Sequence, residues 1–91
     1  MRIKRITSDT QISTAPIIIL GYQMFPDGSN TGVVEFYNEA DSSKTAASKI
    51  SAGRCIATES KEAIFPSPLY CENGLYVDLT GTNLELFVYL K

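Results

Sequence analysis

Apolar side chains stand at every second position in several short segments of this chain, and this alternation restricts the fold more than any other feature. In residues 84–90 leucine or valine occupies each even position, and in residues 75–80 leucine or valine occupies each odd one. A period of two places such side chains on one side of an extended strand. β-Branched and aromatic residues, which suit a pleated surface, recur between them. The pattern predicts strands that each have one apolar face.

Two earlier segments carry the same signal. Val33–Asn38 is predicted to be a strand with Val34 and Phe36 on its apolar face. Pro16–Phe25 is predicted to be a longer strand that is covered on both sides over its first half. Its expected faces are Ile18, Leu20, Tyr22 and Met24 on one side, and Ile17, Ile19, Gly21 and Gln23 on the other.

Glycine, proline and asparagine divide these segments. Residues 26–32 form a predicted loop, and Asn73-Gly74 between apolar runs predicts a hairpin, because both residues tolerate positive φ. Gly53 and residues 81–83 predict further turns. Pro66 and Pro68 are expected to end a strand at a sheet edge or in a corner between sheets, because proline removes a ladder donor.

Residues 46–52 fit both a helix face and a weak strand, and the predicted strands on either side of them favour the strand.

Ninety-one residues suffice for one core and are too few for two. We therefore predict an all-β fold, a single small antiparallel β-sandwich over residues 1–91, Ig-like or jelly-roll-like, with about seven or eight short strands. Residues 1–14 could form an extended N-terminal arm, and a core this small leaves room for oligomerisation.

The residue types argue against catalysis. The chain has no histidine, which removes the usual general base near neutral pH, and its carboxylates are scattered over turns and solvent faces. Cys55 and Cys71 are too few for a thiolate zinc site and are expected to be buried, although a single bridge in an oxidising medium stays open. We expect no enzyme activity, no catalytic residues, no metal and no cofactor.

The charge distribution limits the partners. Eight basic and ten acidic residues give a net charge of −2, so we expect no nucleic-acid partner. Three basic residues, Arg2, Lys4 and Arg5, cluster near the start of the sequence. They are interpreted either as a solvated terminus or as a docking arm. The longest apolar run, 15–20, is too short to span a membrane, and no signal-peptide pattern is present, so synthesis in the cytoplasm is expected.

The last strand has a second face that bears on function. Phe87 and Tyr89 lie next to each other on it, opposite the leucine and valine face. Two neighbouring aromatic residues on a solvent face indicate either a partner surface or coverage by another part of the chain. Together with Tyr37 on the outward side of its own strand, they are the candidate strand-face contacts, and Arg2, Lys4 and Arg5 are the candidate docking residues.

Four segments of the second half of the chain, from Gly32 to Lys91, carry a resemblance. They are VVEFYNEADSSKTA, SKISAG, the proline-bearing corner IFPSPLY, and the ending ENGLYVDLTGTNLELFVYL. In this arrangement the chain resembles a widespread kind of small bacteriophage virion protein. The paired prolines and Cys71 depart from the simpler glycine corner of that family.

The resemblance implies a non-enzymatic β-sandwich in a phage particle, such as a capsid decoration or a head, neck or tail accessory subunit. Its expected partners are copies of itself and other virion proteins such as the major capsid protein, and its expected location is the virion. The alternative is a carbohydrate-binding or host-adhesion module, in which surface tyrosines such as Tyr22 or Tyr76 stack on sugar rings.

Overall fold

The alternating segments form strands in the computed structural model, which describes residues 1–91. Eight strands make up two four-stranded antiparallel sheets, and the one helical element is a 3₁₀ turn at Ala46–Ser48. The predicted all-β sandwich is therefore confirmed. The strands are β1 (Arg2–Ile6), β2 (Thr10–Ser13), β3 (Ile17–Phe25), β4 (Gly32–Tyr37), β5 (Lys49–Cys55), β6 (Lys61–Cys71), β7 (Leu75–Thr80) and β8 (Glu85–Leu90).

The strand order is that of a jelly roll. Sheet A has the order β1-β8-β3-β6 and sheet B the order β2-β7-β4-β5. The first strand pairs with the eighth, the second with the seventh, the third with the sixth and the fourth with the fifth. The chain is thus one long antiparallel hairpin, turned at residues 38–48 and folded over on itself, and this order selects the jelly roll from the two sandwich types expected.

The core lies between the two sheets and contains the predicted apolar faces of β4, β7 and β8. Its centre is an aromatic contact in which the Tyr22 ring lies 5.2 Å from that of Phe36. The residues of β4, β7 and β8 that belong to the core cluster are Val34, Phe36, Leu75, Val77, Leu79, Leu86, Val88 and Leu90. The predicted apolar faces of these three strands are thus confirmed.

In β3 the predicted faces are wrong in the first half of the strand. Ile19, Tyr22 and Met24 are all fully buried or nearly so, although an uninterrupted strand would place Ile19 opposite the other two. The pairing with β8 shifts between Ile19 and Gly21, and Leu20 is the extra residue. This β-bulge reverses the alternation, so that both halves of the strand send side chains into the core.

The Asn73-Gly74 turn does not make a hairpin. It connects β6 in sheet A to β7 in sheet B, and residues 81–83 likewise lead from β7 back to sheet A. The turn chemistry is present, since Gly74 has φ of 121° and Asn83 has φ of 53°. Each turn carries the chain from one sheet to the other, and only β4 and β5 are consecutive strands that pair.

For residues 46–52, both the helical and the strand alternative hold in part. Ala46–Ser48 form a 3₁₀ turn, and β5 begins at Lys49. Gly53 lies within β5 and makes no turn, and a Cβ there would collide with the Tyr22 hydroxyl. β6 does not end at Pro66 and Pro68. It passes through both as an edge strand of sheet A, where the segment between Ile64 and Leu69 has no partner on β3.

Residues 1–14, expected as a possible extended arm, instead supply β1 to sheet A and β2 to sheet B. Cys55 and Cys71 are free thiols, and both are buried as expected. Nothing helical in the chain has the length and apolar character required to cross a membrane.

Candidate functional site: the outer face of sheet A

The candidate site is the solvent side of sheet A, where β8 is an inner strand between β1 and β3. Because directly paired residues share a face of the sheet, the pairings of Phe87 and Tyr89 identify what surrounds them. Phe87 pairs with Arg5 on one side and Gln23 on the other, and Gln23 pairs with Glu62. These four residues form one row across all four strands.

A second row lies one step along the strands. Tyr89 pairs with Ile3 on β1 and with Gly21 on β3, and Gly21 pairs with Ile64 on β6. We call the two rows, together with Phe25 and Glu85 beside them, the outer face. Its members are Ile3, Arg5, Gly21, Gln23, Phe25, Glu62, Ile64, Glu85, Phe87 and Tyr89.

The outer face exposes apolar side chains at both of its edges. Ile3 is 58% exposed at one edge and Ile64 is 62% exposed at the other. In the neighbouring rows, on β3 and β8, the rings of Phe25 and Phe87 meet edge to face at 5.7 Å. A depression of about 150 Å³ lies among these rings, Ile3 and Tyr89. The chain itself covers Phe87 and Tyr89 only in part, because both side chains are half-buried.

Polar contacts hold the aromatic side chains of this face in place. The Tyr89 hydroxyl lies 3.1 Å from Gln23 Oε1 and 3.0 Å from Glu62 Oε2. Partial burial, and then the neighbouring Glu62 carboxylate, raise the pKa of Tyr89, so the hydroxyl keeps its proton and donates it. Arg5 Nε contacts Glu85 Oε2 at 2.8 Å beside Phe87. Tyr89 and Arg5 thus each have a polar partner within the face.

Arg2 and Lys4 do not share this face with Arg5. They alternate with Ile3 and Arg5 along β1 and point toward the rim between the sheets, where they line a crevice of about 380 Å³ with residues of β2 and β3. Arg2 Nη2 also donates to the Lys91 carbonyl at 3.2 Å. The three basic residues predicted as one docking group thus point to two sides of an edge strand.

Tyr37 lies away from Phe87 and Tyr89, on the solvent side of sheet B. It is only 6% exposed, because Lys44 from the β4–β5 connection covers it. The Lys44 ammonium is 5.9 Å from the Tyr37 ring centre and 5.6 Å from that of Tyr76, and it is 3.3 Å from Asp78 Oδ2. Burial, as the largest cause, raises the pKa of Tyr37.

The tyrosines considered for sugar stacking are also buried. Tyr22 is a core residue, and Tyr76 lies beneath Lys44. Among the five tyrosines only Tyr70, on the edge strand β6, is mostly exposed. No tyrosine platform is therefore open at Tyr22 or Tyr76.

Sequence patterns did not predict Ile3, Phe25 and Ile64 as members of the face. Ile3 stands among basic residues that suggested a solvated terminus, and Ile64 precedes the prolines that suggested the end of a strand. The available signal was alternation: Ile3 and Arg5 lie on the side of β1 opposite buried Ile6. Phe25 required the strand register, which no local pattern provides.

The carboxylates of the outer face are occupied by Arg5 and Tyr89, and no three cysteine or acidic side chains lie together in a group that could hold a metal ion. Comparisons with protein-family models, with curated proteins and with solved structures find no match to this chain.

Proposed function

We propose that this chain is a non-enzymatic structural protein of a bacteriophage particle, such as a capsid decoration or head–tail accessory subunit, that acts through protein–protein contacts of the outer face. The observation that carries the proposal is the set of apolar side chains that the outer face presents, of which Ile3, Phe25 and Ile64 are exposed and Phe87 is half-buried. The virion assignment rests in addition on the resemblance of residues 32–91 to small phage virion proteins.

The physical argument is the free energy of burying this surface. A fully buried isoleucine or phenylalanine side chain contributes roughly 1.5–3 kcal/mol relative to an exposed one. Contiguous apolar surface on a folded protein is characteristic of a contact site, whereas single exposed residues are common and need no explanation. Here four different strands each contribute one apolar side chain to the same face, and polar contacts connect Tyr89 with Gln23 and Arg5 with Glu85 beside them.

The jelly roll is compatible with the proposal and does not select it. Viral capsid and lectin domains both use this architecture, and function belongs to the site more than to the fold. The burial of Tyr22 and Tyr76, the side chains considered for sugar stacking, supports a protein contact over a sugar site. A face of aliphatic and phenylalanine side chains suits a protein surface.

The test is incorporation into particles. We expect mass spectrometry of purified phage particles to detect the chain at a fixed copy number, and we expect the purified protein to sediment with particles that lack it. Ile3→Ser with Ile64→Ser removes both exposed edges of the face and should weaken this binding at least about tenfold, given the free energy of burying each side chain.

Ile56→Ser is the matched control, since Ile56 is equally exposed but lies after β5, away from the outer face. It should bind particles as the unchanged protein does. Absence of the chain from purified particles would reject the proposal. Equal loss of binding in the control and in the double variant would reject the assignment of the contact to the outer face.

A further inference from the structure

The outer face is complementary to a copy of itself. Arg5 and Glu62 occupy the two ends of the same row, one on edge strand β1 and the other on edge strand β6. Ile3 and Ile64 occupy the two ends of the neighbouring row. With strands about 4.8 Å apart, each pair is separated by three strand spacings, roughly 14 Å.

A two-fold axis can exchange the two ends of each row. This axis lies in the plane of the contact, nearly parallel to the strands and between β8 and β3. It places β1 of one copy on β6 of the other. Arg5 then faces the opposite charge of Glu62, and Ile3 faces Ile64, at both ends of the contact. Sheets that pack face to face keep their strand directions within about 30°, which this axis satisfies.

At the centre of the contact, the axis places Tyr89 of one copy over Gly21 of the other, where the Ile64 side chain lies against the glycine. Phe87 meets the aliphatic part of Gln23. The other in-plane axis, across the strands, would place β1 on β1 and β6 on β6, so that Arg5 would not face Glu62.

We propose that the protein forms a symmetric dimer through the outer face, with β1 of each copy packed on β6 of the other and Arg5 paired with Glu62 across the contact. The proposal rests on the contact role proposed above for this face and specifies its partner as a second copy of the chain. It makes the contact isologous, with each residue pair occurring twice. The dimer is then the unit that joins the particle, and Ile3→Ser with Ile64→Ser weakens particle binding by opening the dimer.

Charge reversal tests the pairing. The unchanged chain should sediment as a dimer at about 100 µM, because an interface of this small size is expected to dissociate in the micromolar range. Arg5→Glu and Glu62→Arg should each weaken the dimer at least tenfold, since each variant opposes like charges twice. The double variant should recover part of the lost affinity, because the contacts of Arg5 with Glu85 and of Glu62 with Tyr89 within each copy stay broken. Lys49→Glu is the control, because Lys49 is also paired with a glutamate, at 2.7 Å, but on sheet B.

Cross-linking tests the orientation. Ile3→Cys and Ile64→Cys chains, oxidised together, should form a disulfide-linked dimer that contains one of each, and neither should cross-link efficiently alone. A monomer at about 100 µM, a double variant that stays as weak as the single ones, or efficient cross-linking of Ile3→Cys with itself would overturn the proposal. A dimer with these properties that is absent from phage particles would reject the virion function alone, and a monomer that binds particles would reject the dimer alone.

Discussion

Gln11 connects three parts of the chain through one side-chain amide. Its Nε2 lies 2.8 Å from the carbonyl oxygens of Ser13 and Glu39 and 3.1 Å from that of Leu75. These carbonyls belong to β2, to the β4–β5 connection and to the start of β7. An amide nitrogen carries two hydrogens, so it serves them two at a time. A carbonyl shielded from water without a donor is costly, and Gln11 therefore stabilises this corner of the jelly roll.

Gln11→Glu should destabilise the protein by roughly 1–3 kcal/mol at neutral pH, because a carboxylate would face three acceptors. Urea denaturation measures the free energy of unfolding. Gln11→Leu is the matched variant, which removes the donor and adds no charge, and we expect a smaller loss for it. The gap between the two variants should narrow as the pH falls from neutral toward about 4, because the partly buried glutamate binds a proton in the folded state before it does in the unfolded chain. Equal stability of Gln11→Glu and the unchanged protein would contradict this role.

Asp27 organises the loop between β3 and β4. Its Oδ1 accepts the backbone N–H groups of Ser29 and Asn30, each at 2.8 Å, and its Oδ2 accepts the side-chain amides of Asn30 and Asn83. These donors, the Ser29 N–H first, lower the pKa of Asp27 to about 2. Because the ordinary value is 3.8, the carboxylate favours the folded state above about pH 3.8, and this contribution is lost as the pH falls through about 2.

Asp27→Asn should remove this acid dependence. We expect the unchanged protein to exceed the variant in free energy of unfolding near neutral pH, and the difference to shrink as the pH falls from about 4 to about 2. Urea denaturation at several pH values measures the difference, and carbon NMR of the Asp27 carboxyl group in the folded protein measures its pKa. A folded-state value of 3.8 would show that the loop donors do not act on Asp27 as the geometry indicates.

At the scale of the strand, the bulge in β3 decides which residues reach the core. Without Leu20 as an extra residue, Ile19 would point away from the side that Tyr22 and Met24 share, because the side-chain period of a strand is two. The same shift leaves Gly21 on the outer face, beside Tyr89 and Ile64. One inserted residue therefore serves both the core and the candidate site.

Deletion of Leu20 should prevent stable folding. The deletion removes the bulge, so that either Ile19 or the pair Tyr22 and Met24 would leave the core, at a cost of about 2–5 kcal/mol for each large side chain. We expect thermal denaturation of the deletion variant to show no cooperative unfolding transition. Leu20→Ala keeps the residue count and should fold with a modest loss, since Leu20 is only half-buried. A deletion variant as stable as Leu20→Ala would show that the strand register is not essential.

At the scale of the whole molecule, the sequence predicts the sandwich and leaves its topology open. Alternation is a local property, so it predicts the buried faces of β4, β7 and β8 correctly. Strand order depends on pairings such as β1 with β8, which lie at opposite ends of the chain, and on turns that cross between sheets. Asn73-Gly74 shows the difference, because its chemistry predicts a turn but not which strands the turn joins.

The candidate site was predictable to the same extent. Phe87 and Tyr89 follow from alternation in the last strand, and both lie on the outer face. Ile3 and Ile64 join them only after four strands from distant parts of the chain come together. Tyr37 belongs to the other sheet, and its cover, Lys44, lies in a connection whose path no local pattern specifies.

The burial of both thiols has a chemical consequence. Burial raises the pKa of Cys71 to about 11, so almost none of it is thiolate at neutral pH, and Cys55 is only 4% exposed. Disulfide exchange proceeds through an accessible thiolate. The folded molecule can therefore pass from reducing to oxidising surroundings without forming a disulfide. An unfolded molecule exposes both thiols, so it would be oxidised and unable to refold. The disulfide content of a sample would then report the fraction of molecules that had unfolded.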